Sequence, residues 1–592
     1  GNIAEYRIAS ASSGLKVWEV SDKLNVREQN YTLNGSVISF LQAADSLRNY
    51  VVFNPSASLP VPIPGGVVNN QNLHGTAQID MIIVTHPAFL SAAENLANHH
   101  RNVDGMSVVV TTPQQIYNEF SSASQDISAI RNFVKMFYNR AQTPDELPDY
   151  LLLLGDGSYD PKYRLANNQN WIPTYESGES VNPIGSYCSD DFFGFMDPTE
   201  GTNIQSVGAG LLDVGIGRFP VNTLEEANQI TNKIIHYVTN RDCLNDWRNK
   251  VTFIADDEDN GDHVKQAELV SGLIEQNYPV YNIDKIYLDA YQQESGAGGQ
   301  RYPQVNIDIN NRVERGALMM NYAGHGGEQS LALERVITIP EIDAWPSYNN
   351  LPLFMTATCE FSRFDNPEFT SAGEYVILNP IGGGIGLFTT VRLTFSSSNS
   401  NLNRNIMDTV FAMQDGIHLR LGDILRIGKN APSTGSTFNN RSFALLGDPA
   451  MMLAFPDYRV VTNTINGNPA GSVNDTLSAL DLVTITGSVT DINGNVQTNF
   501  NGVVIPTVFD KKSTYYTLGN DPSSPVMPFK LQKNVIFRGP ATVTNGNFTF
   551  SFVVPQDIQF DFGSGKISYY ARQNTSLDDA HGYDNGILVG GF

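Results

Sequence analysis

From Ile79 the chain repeats one hydrophobic rhythm. Short apolar runs, "IDMIIVT", "MSVVVTT" and "YLLLLGD", alternate with stretches of helical period such as "DISAIRNFVKMFY", where Ile127, Ile130, Val134 and Phe137 share a face. Runs that are apolar throughout are strands covered on both sides, and their alternation with helices predicts a parallel sheet sheathed by helices. The stretch "TLEEANQITNKIIHYVTNR" opens with a capping box, Thr223 and Glu226, and turns Ala227, Ile230, Ile234 and Tyr237 inward. It closes a first α/β unit near residue 240. The rhythm restarts with "VTFIADDE" and a helix from about Asp262 to Gln276. It continues through "KIYLDA", "ALMMNYAG", "LPLFMTAT" and "GIGLFTT", and ends at "FALLGDPAMMLAF", near Pro456.

The flanks read differently. Residues 1–75 carry alternating segments, "LKVWEV" and "YVVF", and then the loop "PSASLPVPIPGGVVNNQNLHG", which predicts a small β region and a linker. Beyond Pro456 the pattern is all-β: "LVTITGSVTD", a turn at Asn493-Gly494, and "GNFTFSF", whose Phe548, Phe550 and Phe552 face one way. The expected order is an N-terminal β region (1–75), two consecutive α/β units (76–240 and 241–456), then an immunoglobulin-like β-sandwich and the start of a further segment (457–592).

Composition narrows the function. The 592 residues carry 37 Lys and Arg against 61 Asp and Glu, a net charge of −24 that repels nucleic acid and anionic membranes. Three cysteines, Cys188, Cys243 and Cys359, are odd in number and far apart, so they form neither a disulfide framework nor a zinc module. At least one is a free thiol. No apolar run reaches the roughly 18 residues of a membrane helix. The chain begins at Gly1 and is expected to be a piece of a longer precursor, so a missing leader says little about compartment.

The chemistry gathers at two strand ends. His325 follows "ALMMNYAG" and Cys359 follows "LPLFMTAT", 34 residues on, an interval that accommodates a crossover between neighbouring parallel strands. Read singly, Cys359 is a buried strand-end cysteine and His325 a turn histidine. Together they fit a nucleophile and its base, because an imidazole that takes the thiol proton supplies the thiolate a peptidase needs. Glycines flank the histidine, and the amides of Gly326 and Cys359 would share a developing oxyanion. Cys188 in "SYCSDDFFG" and Cys243 in "NRDCLNDWR" lie in polar, loop-like surroundings and read as incidental thiols.

At "NYAGHGGE", "TATCEF" and "LLGDPAMML" the chain resembles the gingipain family of cysteine peptidases, which have a caspase-like fold. The segments "GHGGEQSLALERV", "LPLFMTATCEFSRFDNPEFTSAGE" and "ITGSVTDINGNV" resemble the branch of that family that serves as sortase of the type IX secretion system. The resemblance implies a peripheral enzyme on the outer membrane of a Gram-negative bacterium, anchored by secretion-system subunits. It would remove C-terminal signal domains from secreted cargo and attach the cargo to anionic lipopolysaccharide. A degradative endopeptidase with the same dyad, or a non-catalytic assembly component, are the competing readings.

The resemblance also carries residues over. Glu258 in "FIADDEDNGDHVKQAE" is the nearest match to the acid that supports the family's histidine. Asp262 is the nearest match to an aspartate that holds a basic substrate side chain, or else a helix N-cap. Arg363 and Arg392 are candidates for substrate contact, or ion-paired scaffold residues. No cofactor is required for catalysis. Structural calcium is admitted by the acidic stretches "DDEDNGD", "GDGSYD" and "CSDDFFG", without assigned ligands.

Overall fold

The computed structural model describes residues 2–591 apart from 65, 167, 179–180, 201–209, 433–436 and 472–474. The chain divides into two compact units, Gly1–Gln71 and Asn72–Phe592. In the first, Ile3–Ile8, Val37–Ala43 and Thr32–Asn34 form one antiparallel sheet, and Arg27–Glu28, Lys16–Glu19 and Tyr50–Phe53 another. Its core is small, with Val17, Ile38 and Phe40 at the centre.

The second unit is built on a ten-stranded sheet: β1 (Met81–Thr85), β2 (Val108–Thr111), β3 (Tyr150–Leu154), β4 (Gly215–Phe219), β5 (Lys250–Ala255), β6 (Asn282–Tyr287), β7 (Met319–Ala323), β8 (Leu353–Ala357), β9 (Gly386–Thr390) and β10 (Phe443–Leu446). The order is β6-β5-β7-β8-β9-β10-β4-β3-β1-β2. Every pair is parallel except β9 with β10. Both α/β stretches of the sequence therefore feed one sheet, joined where Arg218 of β4 pairs with Leu446 of β10.

Helices cover both faces, as runs buried on both sides require. Leu224–Thr239 starts at the capping box of Thr223 and Glu226 and buries Ala227, Ile230, Ile234 and Tyr237. Ile127–Arg140 begins at Asp126, whose carboxylate accepts from the Ser128 amide, and buries Ile130, Phe133, Val134 and Phe137 on its sheet-facing side. Asp262–Asn277 packs on the second half of the sheet through Val264, Ala267, Val270 and Ile274.

After Pro456, seven strands follow one hydrogen-bonded path around a common core, from Val535–Arg538 at one edge to Asn547–Val553 at the other. Phe548, Phe550 and Phe552 all turn inward. The sandwich is tied to the large sheet by an Arg248–Asp579 ion pair at 2.8 Å and by Lys566, which donates to the Tyr281 carbonyl at 2.7 Å. Among the described residues no helix is long and apolar enough to cross a membrane.

Candidate active site

β7 and β8 are parallel neighbours, and Ala323 stands opposite Ala357. His325 and Cys359 each lie two residues past that pair, so the crossover delivers imidazole and thiol to the same level above the carboxyl edge of the sheet. Strand spacing of roughly 4.8 Å sets their backbones side by side. The Cys359 thiol is half-buried and donates to the Thr394 carbonyl at 3.6 Å. Thr394 and Asn399 brace the approach to it: Thr394 Oγ1 donates to the Thr358 carbonyl at 2.6 Å, and Asn399 Nδ2 to Thr394 Oγ1 at 2.9 Å. Just after the thiol, Glu360 is held at φ 27°, a left-handed conformation that costs on the order of 1–3 kcal/mol.

The loop before His325 is fixed by a buried acid. Asp256, at the end of β5, accepts from the His325 amide at 2.7 Å, and Tyr322 Oη donates to the His325 carbonyl at 2.6 Å. A Cβ at position 324 would lie 2.4 Å from Asp256 Cβ and 2.5 Å from Tyr322 Oη, so only glycine passes between them. The next glycine has a different use. Gly326 stands opposite Leu331 in a short hairpin whose ladder bond runs from the Ala332 amide to the His325 carbonyl at 2.9 Å. In that register the Gly326 amide points away from the hairpin, and no described hydrogen bond takes up the Cys359 amide.

The carboxylate that reaches the imidazole is Asp259, which lies between the two expected candidates. Its Oδ2 stands 3.2 Å from His325 Nε2. In the tautomer that donates Nε2–H to Asp259, Nδ1 is the ring's acceptor. Asp259 and Asn260 both take φ 58° and Gly261 φ 73°, a left-handed turn that throws the Asp259 side chain back across the sheet edge. His263, one turn into the following helix, brings its Nε2 to 3.3 Å from the same oxygen, and its ring meets His325 edge-on with centroids 5.3 Å apart.

Glu258 is placed elsewhere. It points into a cluster with Asp256, Asp257 and Glu334, one oxygen of each lying within 4.8 Å of the others. Burial, followed by the charge of Glu258, holds the Asp256 carboxyl well above its ordinary range. Burial likewise pushes Asp257 and Glu334 up to about 7. Asp257 Oδ1, Glu258 Oε2 and Glu334 Oε2 are buried without a hydrogen-bond partner. An all-oxygen set with orphaned buried lone pairs fits a hard divalent cation such as calcium. The stretch "CSDDFFG" does not: Asp190 is held by Arg218, both arms at 2.7 Å, and Asp191 by Lys429 at 2.7 Å.

Three further expectations are corrected by the geometry. Asp262 is the first residue of its helix, not the N-cap, and it pairs on the surface with Lys265 at 2.7 Å. Arg392 is buried against Asp365, with Glu176 3.6 Å away, a scaffold position closed to substrate. Cys188 and Cys243, read from the sequence as lying in polar, loop-like surroundings, are both buried, and burial raises both thiols, Cys243 to about 11. Arg363 stays partly open, paired with Glu328 at 2.9 Å and lying over the Tyr159 ring. Asp259, Asp256 and Glu334 are the residues sequence reasoning passed over. The Asp-Asn-Gly turn, in which all three residue types tolerate left-handed backbone, was the available signal for the first.

The sandwich also reaches this edge. Ser524 Oγ donates to the Asp257 carbonyl at 2.6 Å, and a Cβ on Gly261 would meet Met527 Sδ at 2.8 Å. Asp289 receives the amides of Gly519 and Asn520 at 3.0 and 2.7 Å. The loop that carries Asp259 is thus held from behind by a loop some 260 residues downstream.

The sequence model of Peptidase family C25 matches residues 74–454. The chain belongs to that family of cysteine peptidases. Among solved structures it is similar to dimeric latent PorU from Porphyromonas gingivalis, at 24% identity and TM-score 0.52, over 99% of this chain and 50% of that one. It thus spans half the length of the PorU chain it matches. It is also similar to the Arg-specific cysteine proteinase gingipain R, at 16% identity and TM-score 0.50, over 88% of this chain and 100% of that one. A complex of the RgpB pro- and mature domains from Porphyromonas gingivalis gives 16% identity and TM-score 0.50, over 85% of this chain and 99% of that one. No curated protein matches the chain. These likenesses give the fold: a gingipain-type α/β body followed by a β-domain.

Proposed function

We propose that this chain is a cell-surface cysteine endopeptidase of the sortase kind, which removes the C-terminal signal domain of type IX secretion cargo and passes the cargo to anionic lipopolysaccharide. The observation that carries the peptidase part is the matched placement of His325 and Cys359 two residues beyond the Ala323–Ala357 pair. The sortase part is supported by the motif resemblance around Cys359 and by the fold likeness to PorU. Outer-membrane secretion subunits would anchor the protein as a peripheral component.

In this reading His325 Nδ1 takes the Cys359 proton and the thiolate attacks the scissile carbonyl. The oxyanion forms beside the Gly326 and Cys359 amides. The histidine returns its proton to the leaving signal domain, and a thioester remains on the cargo. An amine of the lipopolysaccharide attacks that thioester to form an amide, with His325 accepting the amine proton; water gives hydrolysis instead. Asp259 holds the ring in the tautomer this needs. Asp256, Asp257, Glu258 and Glu334 would hold a structural calcium, whose charge would neutralise them and stiffen the loop behind His325.

An arginine- or lysine-specific degradative role is less well served, because Asp262, the carboxylate expected to receive a basic side chain, is engaged by Lys265. Mass spectrometry of cargo incubated with enzyme and a candidate amine tests the proposal. Expected are one cut at the signal junction and a cargo product heavier by the amine less water. Cys359→Ala should lower the rate by at least about three orders of magnitude while the fold is kept. Processing at an undiminished rate in that variant would sink the nucleophile assignment. Equal cleavage of peptides lacking the signal would favour the degradative reading.

A further inference from the structure

The side chains around His325 form a second constellation, which shares His325 and Asp259 with the peptidase machinery and adds His263, a residue peptide cleavage does not use. Asp259, His263 and His325 each offer one ligand atom, and all three atoms lie within 4.8 Å of one another. Two of the separations, 3.2 Å from Asp259 Oδ2 to His325 Nε2 and 3.3 Å to His263 Nε2, match the edge of a tetrahedral zinc site. Metal–ligand bonds of about 2.0–2.1 Å place neighbouring ligands roughly 3.3 Å apart. His263 is the telling member. It is 3% exposed, its Nδ1 has no hydrogen-bond partner, and its Nε2 stands 3.3 Å from the Asp259 oxygen without an aligned hydrogen bond. A buried imidazole so poorly satisfied is costly unless something occupies it.

We infer that Asp259, His263 and His325 form an inhibitory site for a borderline divalent cation of the zinc type, which binds across the imidazole that activates Cys359. Two nitrogens and one carboxylate are the donor set zinc takes, and three protein ligands leave a fourth position for water. This site is distinct from the all-oxygen cluster of Asp256, Asp257, Glu258 and Glu334, which suits a hard cation. Cys359 is not among the three ligands, so the metal would act by withdrawing the base, not by capping the nucleophile. His325 is 43% exposed, which leaves a path for the ion from solvent. No bond of substrate is made or broken: the ion takes the Nε2 lone pair in place of the Asp259–His325 hydrogen bond, the ring's single proton passes through solvent from Nε2 to Nδ1, and Nδ1 can then no longer accept the thiol proton. The inhibitory consequence rests on the peptidase reading above; the binding does not.

The test separates the two. Zinc binding to the Cys359→Ala protein, followed by competition with a chromophoric chelator in the presence of excess calcium, should give one ion per chain. His263→Gln in that background should weaken binding at least about tenfold. In the protein with Cys359 intact, zinc should inhibit signal removal reversibly, with activity restored by chelator. His263→Gln should need at least about tenfold more zinc for half-inhibition, measured against its own uninhibited rate. Unchanged affinity in His263→Gln, or binding that disappears with Cys359→Ala, would overturn the site. Zinc bound with the expected ligands but without effect on the rate would overturn the inhibitory role and leave the binding site standing.

Discussion

Two clusters of buried acids along the large sheet are held in opposite ways. Around the ends of β3 and β4, Asp190 is gripped by Arg218, and Asp191 by Lys429 and Arg441; the nearby Asp365 is held by Arg392. Around the ends of β5 and β7, Asp256, Asp257 and Glu258 have no lysine or arginine partner among the described residues and lean on hydroxyls, amides and each other. A buried carboxylate with a matched cation is a fastener. Buried carboxylates without one are a site, because their oxygens remain available to an ion, an imidazole or a backbone amide.

Breaking the fastened cluster should cost the most. Arg218→Met leaves Asp190 buried and unpaired, and a loss of about 3–5 kcal/mol in urea unfolding is expected. The reverse is expected of Glu334→Gln without divalent ions, which removes one of several like charges and should leave stability equal or higher. A similar loss from both changes would erase the contrast.

The seam between the halves of the sheet should respond to pH. Buried His100 meets Asp104 at 2.7 Å and Asp448, just past β10, at 2.8 Å. Burial alone would push its imidazole down, but the two carboxylates outweigh that and raise it to about 9, against 6.5 unfolded. The raised value means that the folded protein binds the proton more tightly. Its contribution, on the order of 3 kcal/mol, is therefore complete below about pH 6.5 and lost as pH rises through about 9. His100→Gln should remove that slope from a stability–pH curve.

Around the site the effects fall on rate. Asp259→Asn should lower kcat by about a hundredfold with KM and melting temperature nearly unchanged, whereas Glu258→Gln should cost less than about tenfold in the same calcium. If Glu258 proved the more damaging, the acid seen beside His325 would not be the one that orients it. The smallest change is expected from the metal itself. Calcium at about a hundred times its dissociation constant should stabilise the protein by up to about 2.7 kcal/mol, seen as a melting shift of a few degrees that Glu334→Gln diminishes.

Much of this was legible in the chain. Wholly apolar runs such as "YLLLLGD" announce strands covered on both sides, and the capping box of Thr223 and Glu226 marks its helix start to the residue. The placement of His325 and Cys359 at neighbouring strand ends was legible too, because both strand ends are visible in the hydrophobic pattern. The acid beside His325 was not. In "DDEDNGDH" five acids and a histidine lie within eight residues, and which of them turns back depends on consecutive left-handed residues at 259–261 that no periodicity reports.

The sequence by itself determined the strands, their helices, and the placement of His325 and Cys359 at the ends of neighbouring strands, since local periodicity and chain connectivity suffice for these. Only the tertiary structure decided that both α/β stretches share one sheet, that Asp259 rather than Glu258 meets the imidazole, and that Arg392 is a strut. Each of these turns on charge and burial between residues far apart in the chain. His100 and Asp448, or Asp257 and Ser524, acquire meaning only when the folded backbone brings them within hydrogen-bonding distance.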